Sequence, residues 1–302
     1  MTGGLKTVVV IGGPTASGKS GLALSLARAK NGTVINADSM QLYDGLHRLT
    51  AQPSAEELAV APHVLYSCLK PDQLCSSAIW RDMALAEIEK SIAAGRLPIV
   101  VGGTGFYIRT LLEGISPIPD IDPAVRERAN TLQKELGNPA FHAELQKRDP
   151  VMAERLHPFN TQRLVRAWEV LEATGKSLAE WQALPMSKPP AHLKFLSVTL
   201  LPERKKLYEQ CDTRFGQMVA AGVLEDVRHF RPQAGWALSK ALGYPELSSH
   251  LAGNLTLNEA IEMAQRATRH YAKRQVTWFR HQIKPDLVMD TPDAGKLVSA
   301  IF

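Results

Sequence analysis

The chain has 302 residues, a net charge of +5, 45% hydrophobic and 22% charged side chains. That length holds one large domain or, better, a main domain with a second lobe, and the composition is ordinary for a soluble globular protein. No apolar run approaches the ~20 residues that a membrane-spanning helix needs, and the mild basic excess is compatible with a polyanionic partner. Met1 to Lys6 lead straight into the first predicted strand, which leaves no room for a signal peptide. Cys68, Cys75 and Cys211 have no metal-ligand spacing and cannot all pair. Both points favour a reduced, cytoplasmic setting.

The first element is a buried strand, Thr7-Val8-Val9-Val10-Ile11, read from its β-branched apolar run. Gly13-Pro14-Thr15-Ala16-Ser17-Gly18-Lys19-Ser20 follows and fits the phosphate-loop pattern G-x-x-x-x-G-K-[ST]. The helix formers from Gly21 to Lys30 come next, with Gly32 as the expected stop. Strand, loop and helix aim backbone N–H groups and a positive helix end at one point. A di- or triphosphate suits that point, with Lys19 as counter-charge and Ser20 as a ligand for Mg²⁺.

A second strand, Thr33–Asn36, runs into Ala37-Asp38-Ser39-Met40-Gln41. Ile79, Met83, Leu85, Ile88 and Ile92 recur at helical spacing, and Gly95 ends that helix. A third strand, Leu97–Val101, meets Gly102-Gly103-Thr104-Gly105. Strands alternating with helices predict an α/β fold, a parallel sheet flanked by helices, whose ligands bind beyond the carboxyl ends of the strands. The phosphate loop, Asp38 and Thr104 should therefore share one crevice. Asp38 has three readings: a water-mediated Mg²⁺ ligand, a base for the attacking nucleophile, or the cap of a helix starting near Ser39. Thr104 either reaches into the crevice or belongs to a turn built for backbone reasons. Gly102 stands where a nucleoside-triphosphatase strand would end in an acid, which weakens a plain ATPase reading.

Ser116 to Pro123 is a proline-rich break, after which the sequence turns charged and helical until a second break at Pro185 to Pro190. Residues 116–192 are expected to form a helical insertion, with Asn160 capping a helix through about Ala173 and Gly175 at its end. Phe195–Leu200 resumes the strand pattern, and long helices are expected near 203–220 and 258–282. In the last of these Arg266, Arg269, His270, Lys273 and Arg274 make a charged stripe, either a solvated face or an RNA or diphosphate contact. Arg214, beside core-like Leu207, Cys211, Phe215 and Met218, either snorkels or reaches inward to an anion. Trp168, His47, His63 and His142 are read as packing or surface residues.

The ordered segments GPTASGKS, NADSMQLY, VVGGTGFYIRTLLEG, NTQRLVRAWEVLEATGKS, TRFGQMVAAGVLEDV, ALGYPEL and ATRHYAKRQVTWFR resemble the bacterial tRNA dimethylallyltransferases across nearly the whole chain. The resemblance implies a P-loop-kinase-like core that no longer acts on ATP and a helical insertion that grips the tRNA anticodon stem-loop. It implies Mg²⁺-dependent transfer of a dimethylallyl group from dimethylallyl diphosphate to N6 of the adenosine 3′ of the anticodon, in tRNAs reading U-starting codons. It further implies that Gly13 to Ser20 hold the diphosphate, that Asp38, Thr104 and Arg214 are catalytic, and that Asp38, Ser39, Met40, Gln41, Thr104, Arg126, Gln162, Arg163, Leu164, Val165 and Arg166 lie along the tRNA. A monomer is the default expectation.

Three positions depart from the family pattern. Gln52 stands where Lys is usual, and Lys240 and Pro245 stand where arginines are frequent. The eukaryotic zinc-finger extension is not expected. Rival readings are dimethylallylation of free AMP, ADP or ATP, which needs no second lobe; an ATP-dependent small-molecule kinase, which Gly102 disfavours; and an RNA-binding protein with an idle P-loop.

Overall fold

A computed structural model describes residues 4–233 and 235–301. The chain divides into two compact units, Met1–Leu112 with Pro189–Phe302, and Glu113–Lys188. In the first unit β1 (Lys6–Gly12), α1 (Lys19–Lys30) and β2 (Gly32–Asn36) are followed by the short helices α2 (His47–Thr50) and α3 (Ala55–Val60). Then come β3 (His63–Val64), α4 (Ser77–Ala93), β4 (Leu97–Gly102) and α5 (Gly105–Glu113).

The second unit is helical: α6 (Pro123–Arg148), α7 (Pro150–Glu154), α8 (Thr161–Thr174) and α9 (Leu178–Ala183). The helix α6 is broken by Gly137, whose φ of 71° and ψ of 164° lie outside the helical region. Asn160 caps α8 by accepting the Arg163 N–H, and Gly175 ends it at φ 68°, as its sequence implies. The core of this unit packs Phe141, Leu145, Leu164, Val165 and Val170 together. Its entry and exit segments pair with each other: Ser187 N–H donates to the Ile115 carbonyl at 2.8 Å and Ile115 N–H to the Ser187 carbonyl at 3.3 Å.

The chain returns to the first unit with β5 (Leu193–Leu200), α10 (Arg204–Ala220), α11 (Val223–His229), a 3₁₀ turn at Ala237–Lys240, α12 (Tyr244–Leu251), α13 (Leu257–Gln282), β6 (Leu287–Met289) and α14 (Ala294–Ile301). The six strands form one sheet in the order β3-β2-β4-β1-β5-β6. Every pairing is parallel. Alternation along β1 divides the core in two. Val8 and Val10 meet Trp80, Ile88, Ile108, Leu111 and Phe279 on one face. Val9 and Ile11 meet Leu22, Leu26 and Leu297 on the other. Because helices cover both faces, the central strands read as unbroken apolar runs rather than alternating ones.

Two expectations need adjusting. The helix α1 stops at Asn31, which adopts the left-handed conformation at φ 49°, while Gly32 already opens β2. An Asn tolerates that conformation better than most residues because its short side chain can bond locally. On α4 the inward face is Trp80, Ala84 and Ile88, and Ile79 is exposed. Trp80 displaces it because its ring stacks on Tyr107 at 4.6 Å and its indole N–H donates to the Asn36 carbonyl at 2.9 Å.

The ends of β2 and β4 approach so closely that a Cβ on Gly102 would overlap the Ala37 carbonyl. Gly102→Ala is therefore expected to destabilise the protein by about 2 kcal/mol or more, since backbone rather than a mobile side chain must yield. Gly216, inside α10 with open space around it, gives the opposite sign: Gly216→Ala should stabilise by about 0.5–1 kcal/mol. Thermal or urea unfolding of the two variants checks both signs.

Candidate active site

The phosphate loop joins β1 to α1 and is shaped by what surrounds it. Gly13 lies against the Leu200 carbonyl of β5, where a Cβ would stand 2.8 Å away, and Gly18 is left-handed at φ 84°. Ala16 is left-handed too, at φ 61°, an unusual state for a residue with a Cβ and one that costs about a kilocalorie per mole or more. No side chain caps α1, so the N–H groups of its first turn are left for a ligand. Lys19 is buried and its ammonium donates to the Pro14 carbonyl at 3.2 Å.

A cavity of about 260 Å³ opens against this loop. Thr15, Ala16, Lys19, Ser20, Asp38 and Arg214 give it a charged end. Leu49, Phe215, Met218 and Leu242 give it an apolar wall. A second space of about 400 Å³ adjoins it through Ala16, Lys19, Ser20, Gln41, Tyr66 and Arg214, and runs on past Gln52, Glu57 and Gln217. Arg214 resolves its two readings by reaching inward: its guanidinium donates to the Thr15 hydroxyl at 3.2 Å.

Burial makes charge at the site costly. Burial holds the Lys19 ammonium down from its ordinary 10.5 to about 8; Asp38 pulls it up, and Arg214 pushes it further down. Burial likewise lowers the Arg214 guanidinium, again against the pull of Asp38. The Tyr271 phenol is pushed up to about 12 by burial and by Asp38, with Arg274 opposing. Tyr66 rises for the same first two reasons. A buried ammonium and a half-buried guanidinium, both acted on by one carboxylate, make a place for an anion.

Asp38 follows β2 as expected, but no helix starts at Ser39. The segment is a turn in which the Asp38 carboxylate accepts the Met40 N–H at 3.0 Å. This removes the helix-cap reading and leaves the other carboxylate oxygen facing the turn at Gly103. Asn36 fixes the turn from below, accepting the Asp38 N–H at 2.8 Å and donating to the Leu65 carbonyl at 2.9 Å. Thr104 is not among the residues lining the cavity. Its hydroxyl accepts the Ser39 N–H at 2.9 Å, and its own N–H donates to the Ala37 carbonyl at 3.1 Å. Thr104 therefore ties the β4 turn to the Asp38 segment. Gly102 replaces an acid because the Ala37 backbone fills the space.

Several other residues fall where sequence did not put them. Met40 and Gln41 line the cavity, but the Gln41 amide is already bonded to the Thr50 and Ala51 carbonyls. Gln52 donates to the Tyr43 carbonyl and accepts from Ser67, so it holds a loop and carries no charge for a phosphate. Lys240 lines the cavity. The basic stripe on α13 divides: Arg269 binds Asp212 of α10, Arg274 lines the cavity, and Arg266, His270 and Lys273 are exposed. Gln275 is buried on the same helix and bonded to the phosphate loop. One Gln in an amphipathic pattern reads as a boundary residue. Its i+4 spacing from Tyr271 and Phe279, on the inward side, was the available signal.

In the helical unit Gln162 and Arg163 are exposed at the start of α8. Leu164 is fully buried and Val165 nearly so. Their side chains belong to the unit's core, so the outward side chains of this stretch are those of Gln162 and Arg163. Arg126 and Arg166 converge on buried Glu169 from α6 and α8.

Among the described residues no three His, Cys, Asp or Glu side chains gather to chelate a metal. A divalent ion would have to arrive on phosphate oxygens, as Mg²⁺ commonly does, and the exposed Ser20 hydroxyl at the cavity edge fits that role.

Comparison with known proteins agrees with this architecture. The family model described as IPP transferase matches residues 41–282, and that described as isopentenyl transferase matches residues 6–68. The tRNA dimethylallyltransferase of Paramagnetospirillum magneticum is 52% identical over all of this chain and 96% of its own. That of Rhodospirillum centenum is 54% identical over 92% of this chain and 90% of its own. Among solved structures, the tRNA isopentenylpyrophosphate transferase of Bacillus halodurans superposes with a TM-score of 0.67 at 34% identity, covering 98% of this chain and 94% of that one. A eukaryotic dimethylallyltransferase acting on tRNA reaches a TM-score of 0.77 at 28% identity, over 91% of this chain and 70% of that one. The chain belongs to the tRNA dimethylallyltransferase family.

Proposed function

We propose that the protein transfers a dimethylallyl group from dimethylallyl diphosphate to N6 of the adenosine 3′ of the anticodon, in tRNAs that read U-starting codons. The observation that carries this reading is the composition of one cavity: an anion site made by Lys19 and Arg214, a carboxylate at Asp38, and an apolar wall within the same 260 Å³. A hydrocarbon group attached to a diphosphate needs the first and the last of these. An amine nucleophile needs the second.

An exocyclic adenine amine is a weak nucleophile because its lone pair is delocalised into the ring. Asp38 accepts its proton as the new C–N bond forms and the C–O bond to diphosphate breaks. Negative charge grows on the departing diphosphate, and the open N–H groups of α1, Lys19 and Arg214 stabilise it there. Mg²⁺, held by Ser20 and the phosphate oxygens, would neutralise part of that charge. Thr104 and Asn36 hold Asp38 in place. The target base has to leave its stack to bring N6 to this position. Exposed Gln162 and Arg163 at the start of α8 are free to meet tRNA phosphates. The protein is read as a cytoplasmic monomer.

The deciding experiment is an assay with labelled dimethylallyl diphosphate, comparing unmodified tRNA with AMP at equal adenosine concentration, with and without Mg²⁺. Label in tRNA alone, dependent on Mg²⁺, is expected. Label in AMP alone would assign the protein to the free-nucleotide branch of the same chemistry.

Three variants refine the roles. Asp38→Asn should lower the single-turnover transfer rate by about 10²–10⁴-fold while leaving tRNA affinity unchanged, and an undiminished rate would remove Asp38 as the base. Lys19 is held near 8 against 10.5 in an unfolded chain, so the unfolded state binds more protons between those values. The stability of the ligand-free protein should rise with pH across that window, while affinity for the anionic donor falls above about 8. Lys19→Met should abolish that slope and raise the melting temperature by a few degrees, roughly 2–4 °C per kcal/mol recovered, while donor use collapses; calorimetry across pH measures it. Arg163→Ala should weaken tRNA binding and reduce the magnitude of the salt slope by about one, which a titration at several ionic strengths reads directly.

A further inference from the structure

We infer that Gln275 is a positioning residue for the transfer reaction, holding the donor loop and the turn beside Asp38 in one fixed relation. The inference rests on the proposed reading of the cavity. Gln275 lies on α13, is 6% exposed, and spends both ends of its amide. Its carbonyl oxygen accepts the Thr15 N–H at 2.8 Å, and its NH₂ donates to the Gly103 carbonyl at 2.8 Å. Only one orientation of the amide satisfies both bonds, because Thr15 offers a donor and Gly103 an acceptor.

Both bonds end at groups next to the chemistry. The Thr15 hydroxyl receives the Arg214 guanidinium, so the place of Thr15 sets where that cation stands. A Cβ on Gly103 would lie 3.6 Å from the Asp38 carboxylate, so the place of Gly103 borders the base. The Gly103 backbone comes close enough for this bond only because it is glycine: a Cβ there would collide with the Gln275 amide. One consequence concerns the loop itself. The Thr15 N–H is already taken, and phosphate must be held by the N–H groups further along and by the two cations.

The test is titration of inorganic pyrophosphate, with Mg²⁺, into the full-length protein and two variants. Gln275→Glu keeps the shape but, as a carboxylate, cannot donate to Gly103 and places negative charge behind the loop. At pH 8 it should bind pyrophosphate about tenfold or more weakly than wild type. When protonated, the acid again offers one donor and one acceptor in the same places. The ratio of its dissociation constant to that of wild type should therefore shrink as pH falls to 5.5. Using the ratio cancels the titration of pyrophosphate itself, which both measurements share. Gln275→Met loses both bonds without adding charge. It should bind pyrophosphate weakly at either pH with no recovery, and keep its tRNA affinity.

A pH-independent ratio for Gln275→Glu, or an unchanged pyrophosphate affinity in the Met variant, would overturn the inference. So would a parallel loss of tRNA binding, which marks a general structural defect. Should the Glu variant not fold, the Met variant decides alone on the same two readouts. Wild-type protein that binds pyrophosphate yet never labels tRNA would sink the prenyl-transfer reading while leaving the Gln275 comparison intact.

Discussion

The tight approach of β2 to β4 organises what lies beyond it. At the carboxyl ends of β2 and β4 the Ala37 backbone occupies the space that a side chain at position 102 would need. That contact allows Ala37 N–H to reach the Val101 carbonyl at 2.8 Å and Thr104 N–H to reach the Ala37 carbonyl. The two strand ends become one continuous hydrogen-bonded edge. From that edge Thr104 takes the Ser39 N–H, and Asp38 is turned toward the phosphate loop. An acid at position 102 would overlap the Ala37 backbone and break this arrangement.

The electrostatics follow from the same crowding. Lys19 and Arg214 are drawn together inside protein, each disfavoured by burial, and each lowers its charge cost chiefly through Asp38. The site is therefore under tension between like charges, which the diphosphate of the proposed reaction would relieve. Binding energy from the non-reacting phosphate can then be used to hold the reacting carbon against its nucleophile, which is how remote contacts come to accelerate a chemical step.

Much of this was legible in the sequence because local and global signals agree. β1, the phosphate loop and α1 occur as read, since a β-branched run, glycine spacing and helix formers each have a strong local cause. The cap at Asn160 and the stop at Gly175 are equally local. What sequence missed depends on three-dimensional neighbours. Asn31 ends α1 one residue before the glycine because the next strand must already be in register at Gly32. Ile79 lost its inward place to Trp80, whose indole had a specific acceptor at Asn36. Leu164 and Val165 sit inside a motif associated with tRNA, yet helical periodicity sends them into the core while Gln162 and Arg163 face outward. The inward place of Gln275 was legible from its spacing, but not its bonds, because its partners are backbone atoms far away in sequence.

The pairing of Ile115 with Ser187 gives the helical unit a closed neck. Gly114, left-handed at φ 101°, makes the turn into it, with no room for a Cβ against the Ser187 carbonyl. A segment whose two ends are clasped together behaves, for the chain that carries it, as a single short link. The loop-closure entropy of the lobe is met at its own base and does not depend on the sheet. Such a lobe can lengthen, shorten or change its surface in evolution without altering the register of any strand. Whatever surface the lobe presents can then drift in evolution while the strand register that shapes the phosphate loop stays fixed.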